Sequence, residues 1–404
     1  MKKALEGLRI VETAEGIGVP YAGKLLADMG AEVIKVETPK VGDIQRRRAP
    51  FANRGLAIER SLTFQYANMG KKSVEIDLES EIGRIALYEL MKVSDAWVRQ
   101  GQPEIWADRG FGYDPFLSQV LPALNVVSVT PFGESGPCKN VSANPFVLAH
   151  MSGETALYPH GTGDEGRPPV ILGGNFEEYD VGVIVAIGLL GSLLHTAASG
   201  AGQYLEIAEY EAHTMCVANE LSTYPSFGTF VGREGSVQRA QSSLSYRTRD
   251  GWVNPFLAQT KEFVGMARVM GREEWIGEEW FMNARGRREN CEAISDAIQE
   301  WMLGYSTHEA VAILQENRVP MGPVASPRDV VDDEHLRVRG YFVEVESEAW
   351  GTFTCPGSPF VMEGTPLQCS AAPLLGSSNA DVLGELLGFS DGDIQKITGI
   401  EREG

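Results

Sequence analysis

The chain has 404 residues, 43% of them hydrophobic and 22% charged, with a formal net charge of -20. This is ordinary globular composition, ample for one large domain plus a smaller one. So acidic a balance excludes nucleic acid and anionic membrane as partners, since both require a basic field, while leaving small anionic ligands open. The five cysteines form no C-x-x-C pair, so neither a disulfide frame nor a metal site is expected, and a reducing, cytoplasmic location is. No signal-like apolar stretch opens the chain. The longest apolar run, Val181 to Leu194, is glycine-interrupted and too short to span a bilayer.

In chain order, Leu8–Val11 reads as a strand and Pro20–Met29 as a helix, with proline in the tolerated first turn and Gly30 as its stop. Glu32–Glu37 and Ser73–Leu78 read as strands, Glu79–Met91 as a helix, and Ala96–Val98 and Val126–Val129 as further strands. Strands separated by helical patterns imply a parallel sheet covered by helices. A long helix follows over 177–198, then a strand at Tyr204–Ile207 and a helix over 209–221. From 222 the texture changes, with charged helical stretches at 261–270 and 290–303, which predicts a smaller second domain. Past Pro320-Met321-Gly322-Pro323 the chain changes again, with a strand at 341–345 and a last helix after Asn379. The expected division is 1–221, 222–325 and a C-terminal return, 326–404, to the first domain. The basic run Arg285-Gly286-Arg287-Arg288 reads as a solvated surface.

Gly16-Ile17-Gly18 follows a strand and opens a helix, and Glu37 ends the next strand, which is most of a dinucleotide-binding fingerprint. Tyr21 occupies the position of the third glycine and is expected to hold helix from strand; the next glycine is Gly23. The turn can still cradle a phosphate at a helix N-terminus. Without a ligand it is simply a tight strand–helix turn.

Several ordered segments carry a resemblance. They are Leu5–Val11; Leu25–Glu37 followed by Gly42-Asp43 and Arg46; Asn68–Ser73; Pro131–Pro137; Ile187–Leu190 running to Gly200–Tyr204; and Val319–Val324, Arg339-Gly340, Pro356–Pro359 and Leu386–Gly388. Together they resemble CoA-transferase family III, the CaiB/BaiF family, over essentially the whole chain. The resemblance implies an α/β fold: a Rossmann-like large domain built from both chain ends, a smaller α/β domain, and an interlocked ring-like dimer. It implies transfer of coenzyme A from an acyl-CoA such as succinyl-CoA to a free organic acid. CoA would be substrate rather than permanently bound cofactor, and transfer would pass through an enzyme-bound anhydride and a CoA thioester.

Such chemistry needs a carboxylate nucleophile and aligned donors for anionic intermediates. In the family this is an aspartate four residues before a helix glycine. Here that glycine is Gly182, and the residue four back is Glu178. Three readings stand. Glu178 is the nucleophile despite its extra methylene, as glutamate is in another CoA-transferase class. Or it completes a capping box with Asn175 and, with Glu177 and Asp180, complements the helix dipole. Or Asp180, two residues on and on another helix face, is the nucleophile.

The same resemblance places Gly16, Ile17 and Gly18 along CoA. Arg46, Lys71 and Lys72 would meet its phosphates, Gln100 would stand where the family has asparagine, and Lys139 would reach the CoA chain. For each basic residue a plain surface role is the alternative. In place of the glycine-rich flap of some relatives, either Gln238, Arg239 and Gln241 form a different lid or there is none. His150 reads as a satisfied core histidine. Two other functions remain: a supporting subunit of a heteromeric CoA-transferase, and an acyl-CoA racemase. Asn144 disfavours the latter, standing where a racemase needs histidine. Expected partners are acyl-CoA, a small organic acid and a homologous or identical subunit.

Overall fold

A computed structural model describes residues 2–53, 57–158, 168–228 and 245–399. The chain forms two compact units. Unit 1 comprises Met1–Ser152, Leu172–Val217 and Arg337–Gly404, and unit 2 comprises Gly153–Ile171 and Ala218–Leu336. The expected breaks at 221 and 325 thus compare with 217 and 336, and the segment Gly153–Ile171, which the sequence reading placed in the large domain, groups with unit 2.

Unit 1 is built on six parallel strands: β1 (Arg9–Thr13), β2 (Glu32–Glu37), β3 (Lys72–Glu75), β4 (Ala96–Gln100), β5 (Asn125–Thr130) and β6 (Tyr204–Ala208). Their order is β3-β2-β1-β4-β5-β6. This is the doubly wound order, whose direction of winding reverses between β1 and β4. Period-2 alternation divides the strand residues between two cores. Ile10, Val33, Val98 and Val127 pack under the first helix (Gly18–Asp28) and the long helix (Phe176–Ser199). Val11, Ile34, Val74 and Trp97 face the helix Glu81–Lys92 and, from the chain's far end, Val382, Leu383 and Ile397. Both chain ends therefore make one Rossmann-like body.

The long helix exceeds the apolar run inside it. Its 24 residues would suffice, by length and composition alone, to cross a bilayer. Its buried side, Val181, Val185 and Leu189, packs in unit 1, and it opens with Glu177 and Glu178. The helix expected over 209–221 is interrupted: it runs Glu209–Met215 and resumes at Ala218.

Tyr21 does not hold the first helix off the sheet, because Gly23 takes over the close approach. A Cβ at Gly23 would lie 2.2 Å from Glu12 Oε2. Tyr21 turns instead to Tyr66 and Tyr179, with ring centroids at 6.0 and 4.8 Å.

Unit 2 pairs Tyr246–Arg247, Trp252–Pro255 and Met321–Pro323 in a small antiparallel sheet. Helices Thr260–Val269, Cys291–Leu303 and Thr307–Glu316 share one core with it, including Val253, Met266, Ile298 and Leu314. Gln238, Arg239 and Gln241 lie outside the described residues.

Candidate active site

The winding of the sheet reverses at the C-terminal ends of β1 and β4, and in such sheets ligands bind at that crevice. Three successive backbone N–H groups of the turn after β1 each face a different side chain. The Glu15 N–H donates to Gln100 Oε1 at 3.2 Å and the Gly16 N–H to Asp43 Oδ1 at 3.1 Å. The Ile17 N–H acts on Glu178, drawing its pKa down. Gly16 has φ +89°, in the left-handed region glycine favours.

Glu178 reaches this turn because two helices cross at glycines. A Cβ on Gly182 would lie 2.5 Å from the Gly18 carbonyl oxygen, and one on Gly18 would lie 3.0 Å from the Glu178 carbonyl oxygen. The capping-box reading of Glu178 does not describe this helix start. Asn175 is left-handed, φ 59°, and its side chain makes no capping bond. Glu178 instead lines a cavity of about 300 Å³ with Gly16, Ile17, Gly18, Gln100 and Glu209. Asp180 is not among the lining residues; the Cys216 thiol donates to its Oδ2 at 3.6 Å.

Burial, first, and then the Glu209 and Glu177 charges push the Glu178 carboxyl up to about 7, against the pull of Arg48 and the Ile17 N–H. Burial also raises the pKa of Glu209, whose Oε1 accepts from Gln100 Nε2 at 3.3 Å. His213, one helical turn beyond Glu209, is 2% exposed, lines the same cavity, and has its pKa lowered by burial. Among the described residues the site thus holds a carboxyl poised near neutrality, two further acids, Glu15 and Glu209, an imidazole and one arginine.

The basic residues expected at CoA phosphates are placed otherwise. Arg46 is fully buried: Nε and Nη2 donate to Glu37 at 2.8 Å, Nη1 pairs with Glu59, and the guanidinium lies 3.8 Å from the Phe64 ring centroid. Lys71 is buried too. Its Nζ meets both Glu12 oxygens at 2.9 and 2.8 Å, the Pro20 carbonyl at 2.7 Å and Asn68 Oδ1 at 2.9 Å. Neither presents a charge to a ligand. Lys72 begins β3 and pairs with Glu32 at the start of β2, at the end of the sheet opposite the cavity. Lys139 is half-exposed, 3.6 Å from Glu104, and not among the cavity's lining residues.

Arg48 is the cavity cation the sequence reading passed over in favour of Arg46. Asp43 positions it indirectly: the same Oδ1 that accepts from Gly16 also accepts from the Gln45 N–H at 2.7 Å, opening the short turn Ile44–Arg47. Glu209 and His213 had one available signal, an acid and a histidine four apart directly after a strand. Asn144 lines the cavity but spends its Oδ1 capping the helix Pro145–Met151, accepting from the Val147 N–H at 3.0 Å. His150 donates its Nδ1–H to the Phe146 carbonyl at 2.8 Å and is not a lining residue.

Comparison with known proteins agrees with this architecture. The chain is 29% identical over 397 residues to the succinyl-CoA–L-malate CoA-transferase alpha subunit of Chloroflexus aurantiacus, covering 97% of this chain and 91% of the relative. It is 27% identical to the formyl-CoA:oxalate CoA-transferase of Rhodopseudomonas palustris, covering 98% and 96%. A crystal structure of a CaiB/BaiF family protein from Brucella suis superposes with a TM-score of 0.83 at 26% identity, over 96% of this chain and all of that one. With the model of CoA-transferase family III matching residues 5–379 as well, the chain belongs to that family.

Proposed function

We propose that the protein moves coenzyme A from an acyl-CoA to a free organic carboxylate, with Glu178 as the nucleophile. The observation that carries this reading is the Glu178 carboxyl facing a cavity at the strand crossover, beside the Gly16–Gly18 turn. The Glu178 carboxylate attacks the thioester carbonyl carbon, the C–S bond breaks, and CoA leaves as thiolate from a mixed anhydride. The thiolate attacks Cδ of Glu178, which expels the donor acid and leaves a glutamyl-CoA thioester. The acceptor carboxylate repeats these two steps in reverse and regenerates Glu178. Two easier exchanges replace one hard one. The Gly16–Gly18 turn and Gln100 would lie along the bound CoA, and Arg48 would face an anionic part of the substrates.

The resemblance also supports a dimer, and the word "alpha subunit" in the name of the Chloroflexus relative supports a second, homologous chain. A partner of similar mass that co-purifies would favour that form. The presence of His213 in the cavity gives a racemase reading the imidazole that Asn144 does not supply. Exchange of the acyl α-hydrogen for deuterium without CoA transfer would favour it.

The test of the main proposal is trapping. The protein is incubated with succinyl-CoA, treated with borohydride or hydroxylamine, and the modified residue mapped by mass spectrometry. Modification at Glu178, absent in Glu178→Gln together with a rate loss of about 10³-fold or more, is expected. No adduct at Glu178 across a range of acyl-CoA donors would overturn it.

A further inference from the structure

Arg287, in unit 2, departs from the solvated basic run that contains it. Arg285 is exposed and pairs with Glu289 at 2.8 Å, whereas Arg287 is only 8% exposed. Its guanidinium stacks 4.4 Å from the Phe263 ring centroid. Nη1 donates to the Phe281 carbonyl at 2.7 Å and to the Thr260 hydroxyl at 3.4 Å, which uses both of its hydrogens. Nε and Nη2 have no acceptor and no carboxylate pairs with the group, among the described residues. Burial pushes its pKa down and no acid opposes that. Arg46, by contrast, has two carboxylate partners, whereas the free edge of Arg287 opens on a cavity.

Arg287 lines a cavity of about 310 Å³ whose walls include Leu257, Phe263 and Ile294, with Arg288 and Cys291 also on the lining. Cys291 opens the helix Cys291–Leu303, and the cap residue Asn290 makes no side-chain bond to that helix. This cavity shares no lining residue with the one that holds Glu178. We propose that it binds a small organic carboxylate with an apolar body, held side-on by Nε and Nη2 of Arg287. That edge of a guanidinium presents two parallel N–H groups at the spacing of two carboxylate oxygens. The apolar walls select an organic anion over an inorganic one of the same charge. The proposal stands independently of the role of Glu178.

Cys291 reports on occupancy. The full-length protein is alkylated with iodoacetamide, with and without millimolar benzoate, and the rate at each cysteine is followed by peptide mass spectrometry. Benzoate is expected to slow Cys291 several-fold and leave Cys369, also half-buried but in unit 1, unchanged. Inorganic phosphate is expected to slow neither. Arg287→Lys keeps the charge but loses the two-pronged edge, and is expected to abolish the protection. Equal Cys291 rates with and without benzoate overturn the proposal, as does protection by phosphate equal to that by benzoate. The wild-type comparison decides the matter even if Arg287→Lys fails to fold.

Discussion

Two sets of acids lie within unit 1, one buried and one lining the cavity, and they differ in their counter-charges. In the first, Lys35 Nζ joins Glu12 at 3.1 Å to Asp43 at 2.8 Å, Lys71 also pairs with Glu12, and Arg46 joins Glu37 to Glu59. In the second, Glu15, Glu178 and Glu209 share a cavity with Arg48 as its one arginine among the described residues. The pKa of all three is raised, with burial the largest cause in each. Glu37, more deeply buried than Glu15 or Glu178 but paired with Arg46, is pushed down to about 2. The same residue type thus has its pKa lowered where two close donors meet it, as at Glu37, and raised where burial outweighs the cation, as at Glu178 and at the Arg46 partner Glu59.

The comparison breaks most visibly if the paired set turns out to be dispensable. Lys35→Met removes the cation between Glu12 and Asp43 and the bond to the Ala14 carbonyl at 2.6 Å. A loss of roughly 3–5 kcal/mol of stability is expected, measured by urea denaturation. A change below about 1 kcal/mol would show that these charges are not holding the turn above them.

Gly182→Ala sharpens the other side. The new Cβ would lie 2.5 Å from the Gly18 carbonyl oxygen, so the two helices must part and Glu178 must move. Displacement on the ångström scale is expected to lower kcat/KM about 10²-fold, with a stability loss of about 1–3 kcal/mol. Gly191→Ala, in the same helix, adds a Cβ that meets nothing and is expected to leave both quantities nearly unchanged. Equal effects from the two would show that the helix crossing does not place the carboxyl.

This contrast also explains what the sequence could convey. Period and punctuation revealed the six strands of unit 1 and its longer helices, and the glycines at 16 and 18 marked the turn, whereas Gly182 drew notice only through the family resemblance and its role at the crossing came from the fold. What did not show was which charges are already taken. Arg46 and Lys71 look like anion ligands in a linear string, and only the fold brings Glu37, Glu59 and Glu12 to them. Arg48, two residues on, looks identical and faces the cavity. Arg287 shows the same limit in unit 2, where a basic run hides one side chain turned inward. Burial and pairing arise from contacts distant in sequence, so local residue type carries little information about either.

The smallest effect is the most direct probe of the unpaired set. The groups acting on Glu178 are Glu209 from the helix after β6, Arg48 from the loop before Pro50, Glu177 on its own helix and the Ile17 N–H, with Glu15 and His213 on the same cavity. Glu209 raises the Glu178 pKa by charge, so Glu209→Gln removes that push while keeping a side chain that can bond Gln100. If ionised Glu178 is the nucleophile, activity rises with pH through its pKa, and the acid limb of kcat/KM moves to lower pH in the variant. The shift is expected to be below about one unit, because burial rather than Glu209 is the largest cause of the raised Glu178 pKa and the two carboxyls titrate as a pair. Below pH 7 the variant then retains a larger fraction of its maximal rate than the wild type does. An acid limb that stays in place would mean that burial alone sets Glu178, and a limb moved upward would mean that Glu209 works as a hydrogen-bond partner of the substrate rather than as a charge beside the nucleophile.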